Sequence, residues 1–101
     1  MANNTKALNL SVNWNEAEST LILPETISID VLAGLLKQNK WLLLPVKKVD
    51  FSNVTKADSA ILAVLLIWSA NLKDKLQILQ LPEELKTLIT LYGLEDVIAL
   101  V

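Results

Sequence analysis

The chain has 101 residues, enough for one domain, and 52% of them are hydrophobic, which is ample for one core. Nine basic against eleven acidic residues leave a net charge of -2, without the basic footprint of a nucleic-acid binder. Cysteine and histidine are both absent, which removes thiol nucleophiles, disulfides, Cys/His metal sites and histidine-based triads.

From the start, "MANNTKALNL" lacks a charged segment followed by a long apolar one, so no signal peptide is expected. Residues 6–12, "KALNLSV", alternate at period two and predict a half-buried strand. "NWNEAEST" is turn-like and "TLILP" predicts a second strand, so the opening is expected to be a hairpin. Ser28 or Thr26 can cap the next helix, with Asp30 in its first turn and Val31, Leu32, Leu35 and Leu36 at helical spacing. That helix is expected to fade by Asn39 or Lys40. "WLLLPV" is then expected to be a loop that drops Trp41 and Leu43 into the core.

"KKVDFSNV" predicts a third strand, with Val49 and Phe51 on one face and Asp50 and Ser52 on the other. An apolar helix follows from about Ser59 to Leu72. "KLQILQL" predicts a strand with Leu76, Ile78 and Gln80 on one face and Gln77, Leu79 and Leu81 on the other. Pro82 suits the first turn of another helix, with Glu83 and Glu84 near its positive end. Leu85, Leu88, Ile89 and Tyr92 form its stripe, Gly93 is its expected C-terminal cap, and "DVIALV" predicts a last strand. The order β-β-α-β-α-β-α-β implies an α/β domain. Its sheet is expected to be parallel or mixed, with right-handed crossovers and every helix on one side.

The helix within "TKADSAILAVLLIWSANLKD" is apolar nearly all the way round. The longest strongly apolar run, Ala60 to Ala70, is far shorter than the roughly 20 residues of a membrane span, so no membrane insertion is expected. At 100° per residue, Ile61, Val64, Trp68 and Leu72 gather on one side with Leu65 near them. Ala63, Leu66, Ile67 and Ala70 fall near Ser59 on the other. The bulky side belongs in the core. The Ser59 side is either covered by neighbouring helices or left as an apolar patch that a partner covers, and a second copy of the chain is one such partner. Asp58 and Ser59 stand before this helix, where either fits an ordinary N-cap. The alternative for Ser59 is a contact or phosphorylation site. No histidine, cysteine or carboxylate cluster is present to carry chemistry, so neither an enzyme, a cofactor nor a metal site is expected.

The stretch "VDFSNVTKADSAILAVLL" resembles the STAS-domain pattern of a strand, then D-[ST]-x-G-L, then a helix. The order of elements extends the resemblance across nearly the whole chain, so residues 1–101 are expected to form a single STAS domain. "IDVLAGLL" and "TLITLYGLEDVIAL" resemble the first helix and the C-terminal segment of the MlaB branch of that family. The sequence also stops soon after that segment, whereas sigma-factor antagonists of the family commonly continue into another helix. The resemblance implies a non-catalytic cytoplasmic subunit. It would bind the ATPase of an Mla-type phospholipid-transport ABC system, which serves outer-membrane lipid asymmetry, and sit at the inner membrane through that complex. Its expected contact residues are Asp58, Ser59, Ala63, Leu66, Ile67 and Ala70. A second family role is that of an anti-sigma-factor antagonist switched by phosphorylation of Ser59. Where the family often has Gly, this chain has Ile61, which the helical spacing assigns to the core.

Overall fold

The computed structural model describes residues 13–39 and 44–101. Strand β1 (Asn13–Asn15) pairs antiparallel with β2 (Thr20–Ile22), with Trp14 opposite Leu21. The hairpin is therefore real, but its first strand includes residues the sequence marks as a turn. The turn itself is short, because Asn15 Oδ1 accepts the Glu18 N–H at 3.2 Å and the Ser19 N–H donates to Glu16 O at 3.3 Å. The strand expected over residues 6–12 lies outside the described residues, as do Trp41 and Leu43.

After β2 come β3 (Thr26–Ile27), helix α1 (Ile29–Asn39), β4 (Lys48–Asp50), β5 (Lys56–Ala57) and helix α2 (Ile61–Ala70). Then follow β6 (Leu76–Leu79), helix α3 (Glu83–Leu91), a 3-10 turn at Leu94–Asp96, and β7 (Ile98–Leu100). The main sheet has five strands in the order β1-β2-β4-β6-β7, and all neighbours after β1 run parallel. This is the expected mixed sheet. Each parallel step is bridged by one helix, because parallel neighbours need a long crossover. A second, two-stranded parallel sheet joins β3 to β5, an element absent from the sequence reading.

Register aligns Leu21, Val49 and Ile78 across the sheet, and these three with Leu76 and Ile98 are buried. Their neighbours on the opposite face, Lys48, Asp50 and Gln77, are half-buried or exposed. The buried face meets Leu32 of α1, Ile61, Val64, Leu65 and Trp68 of α2, and Leu85 and Ile89 of α3 in one core. All three helices thus cover one side of the sheet, as the element order implies. The contiguous apolar cluster supplies most of the driving force, at about 25 cal/mol per Å² of apolar surface buried.

Helix boundaries follow local chemistry. Ser28 Oγ accepts the Val31 N–H at 3.2 Å, so Ser28, not Thr26, caps α1. Pro82, with φ -58° and ψ 144°, is the residue before α3 rather than within its first turn. Gly93 takes the left-handed φ of 66° and ends α3 as expected, its N–H donating to Thr90 O at 3.1 Å. Tyr92 does not continue the buried stripe. It is the C-terminal cap residue, where the helix stops turning toward the core, and it is 61% exposed.

The alternation expected for 75–81 also breaks. Gln80 adopts φ 59°, and that left-handed residue resets which way the next side chain points. Gln80 is exposed and Leu81 is buried, the reverse of a regular strand.

Candidate functional site

Helix α2 has no charged residue, and its apolar positions leave no polar stripe. Such a helix is stable only if packing holds it. Its inner side does this: Ile61, Leu62, Val64, Leu65 and Trp68 are buried. Ser69 is buried with them, and its hydroxyl donates to Leu66 O at 2.8 Å, so burial leaves it satisfied. Ile61 is fully buried, as the helical spacing requires, and fills core space at the position where the family often has Gly.

The outer side is uncovered by the described residues. Ala63 and Ala70 are exposed, Leu66 is 39% exposed and Ile67 is 44% exposed. Together with exposed Ser59 they form a strip along the outside of the helix, with two small side chains flanking two large ones. The neighbouring helices therefore do not seal this face.

The turn entering α2 separates the roles of Asp58 and Ser59. Asp58 Oδ1 accepts the Ala60 N–H at 2.9 Å, and its backbone carbonyl accepts the Ile61 N–H at 3.1 Å. The next bonds, Leu62 N–H to Ser59 O at 2.9 Å and Ala63 N–H to Ala60 O at 3.1 Å, make a tight first turn. Asp58 thus does the capping work and is half-buried. The Ser59 hydroxyl meets no hydrogen-bond partner among the described residues and faces outward. Capping accounts for Asp58 and leaves Ser59 without a structural duty.

The small second sheet adds a residue that sequence reasoning missed. Ile27 pairs with Ala57, and the Asp58 N–H donates to Ile27 O at 2.6 Å. The start of α1 is therefore held beside the start of α2. A cleft of about 240 Å³, lined by residues of β3, Ser28, β5 and Asp58, lies between them. Ile29, the first residue of α1 and 57% exposed, stands beside the Asp58–Ser59 turn. No sequence signal marks Ile29, because at i, i+3 and i+7 it shares a helix face with Leu32 and Leu36. Detecting its neighbourhood needed the β3–β5 pairing.

This surface offers apolar contact, one free hydroxyl and one carboxylate. Among the described residues, no three carboxylates gather where they could hold a metal ion, and no helix is long and apolar enough to cross a membrane. A family model described as "Mlab, STAS domain" matches residues 10–101. No curated protein and no solved structure gives a significant match to the chain. The mixed sheet with helices on one side, the Asp58–Ser59 turn before α2, and a family match over nearly the full length agree: the chain belongs to the MlaB-type STAS-domain family.

Proposed function

We propose that this chain is a non-catalytic accessory subunit that docks on the ATPase subunit of an Mla-type phospholipid-transport ABC transporter and supports its assembly and activity. In this reading it works in the cytoplasm, held at the inner membrane only through the transporter. The observation that carries the reading is the uncharged outer strip of α2, Ser59, Ala63, Leu66, Ile67 and Ala70, exposed on a member of this family. Contiguous apolar surface of this kind is typical of protein contacts. The alanines let a partner backbone approach closely, and Leu66 and Ile67 supply the area. Covering what remains exposed of those two is worth roughly 1 kcal/mol each, from the ~1.5–3 kcal/mol of a fully buried side chain. Asp58, Ser59 and Ile29 extend the contact past the end of the helix. The regulator role, with phosphate on Ser59, is not favoured by the family match, and the Asp58 carboxylate beside that hydroxyl opposes a second negative group there.

The test is co-purification with the Mla-type ATPase from the same cells. Wild-type protein is expected to bring it down. Ser59→Arg and Ala63→Glu, both at exposed positions, are expected to lose it while keeping a native far-UV circular dichroism spectrum. Retention by both folded variants overturns the reading.

A further inference from the structure

We propose that the outer strip of α2 also pairs two copies of this chain across a two-fold axis, and that this pair and the complex with the ATPase exclude each other. The proposal rests on the reading of this strip as a docking surface, and it names a second occupant for it.

The strip is self-complementary by position. Consider two α2 helices crossing antiparallel about the point between Leu66 and Ile67. Positions at equal steps from that point then face each other, as a two-fold interface requires. Ala63 faces Ala70, and Leu66 faces Ile67. Small side chains meet at both ends, and the two large pairs in the middle fill the crossing point and set the distance between the helices.

Charge follows the same symmetry. From Ser59 to Leu72 there is no charged residue to bury. At the entry end stands Asp58, half-buried, while Glu25 and Lys56, joined through their backbones, offset each other in charge. At the exit end Lys73 and Lys75 stand against Asp74, all three exposed. Two ammonium groups there outnumber one carboxylate. Among the described residues, none of these groups forms an ion pair within the chain; the one such pair joins Lys86 to Glu83. An antiparallel pairing therefore sets an acidic end against a basic end twice over. The helix dipoles also align favourably, positive end against negative end.

The area sets the strength. A helix of 10 residues is ~15 Å long, and one such face buries less than the ~1,200–2,000 Å² of a stable complex. The pair is therefore weak, with a dissociation constant of roughly 10–100 µM. It covers the apolar strip of the free chain and yields to a partner with a larger surface.

Sedimentation equilibrium over a concentration series, with charge-reversed variants, tests this. Wild-type protein is expected to shift from monomer to dimer over that range. Asp58→Lys alone and Lys73→Glu/Lys75→Glu alone are each expected to weaken dimerisation at least ~10-fold, since both ends of each homodimer become repulsive. An equimolar mixture of the two variants is expected to dimerise again, because both ends of the mixed pair are then attractive. If Asp58→Lys does not fold, the lysine variant and the loss of dimer in high salt decide the matter. A wild-type chain that stays monomeric up to 500 µM, or variant mixtures that do not recover, overturns the proposal. Failure of ATPase co-purification with recovery in the mixture removes the transporter reading and leaves the dimer. The opposite pair of results removes the dimer and leaves the transporter reading.

Discussion

Ile61 and Ile67 are the same residue type on one helix, and the account assigns them opposite duties. Ile61 is fully buried in the core, whereas Ile67 is 44% exposed on the outer strip. Replacing each by alanine removes the same atoms and gains the same helix propensity, so the difference between the two isolates their environments. Deleting the buried side chain loses its transfer free energy and leaves a cavity, at a cost of about 3 kcal/mol within the ~2–5 kcal/mol range for such changes. For a domain this size that is a fall in Tm of roughly 12–24 °C, from ~4–8 °C per kcal/mol. Ile67 keeps about half its surface in water. Its loss costs about 1 kcal/mol of burial, reduced by the better helix propensity of alanine to roughly 0.5 kcal/mol. Urea unfolding followed by tryptophan fluorescence measures both, with an unchanged m-value as the check on two-state behaviour. ATPase co-purification is expected to show the inverse order, with binding weakened by Ile67→Ala and kept by folded Ile61→Ala. Equal losses of stability, or a larger loss at Ile67, refute the assignment of faces on α2.

Other predictions follow the same logic. Asp58→Ala removes the acceptor for the Ala60 N–H and is expected to cost about 1 kcal/mol in urea unfolding, while Ser59→Ala stays within ~0.5 kcal/mol. Gly93 is left-handed and a Cβ there would meet nothing within 4 Å, so Gly93→Ala is expected to lose about 1 kcal/mol by backbone strain alone. Gln80 is left-handed without being glycine, so Gln80→Gly is expected to raise stability by ~0.5–1 kcal/mol, a small upward Tm shift in calorimetry.

The sequence was most legible where periodicity had a large signal. Over α2 the spacing alone separated Ile61, Val64, Leu65 and Trp68 from Ala63, Leu66, Ile67 and Ala70, and the observed burial divides them the same way. Periodicity failed where one backbone angle overrides it. Leu81 turned inward because Gln80 is left-handed, and nothing in "ILQLP" marks a glutamine for that conformation. It failed again at Tyr92, one residue past the end of α3, where helical spacing no longer holds. The β3–β5 pair is two residues long on each side, too short for any alternation to register, yet it sets Ile29 beside the Asp58–Ser59 turn. At that turn, composition allowed either residue to be the cap. Only the hydrogen bonds showed that Asp58 takes the work and leaves the Ser59 hydroxyl free.

Site-specific photo-crosslinking in cells tests the docking claim most directly. A benzophenone side chain placed at Ile67, on the outer strip, is compared with one at Gln77, exposed on the opposite face of the sheet. The account predicts an adduct between the chain and the Mla-type ATPase from position 67 and none from position 77. An adduct from 77 with none from 67 contradicts it.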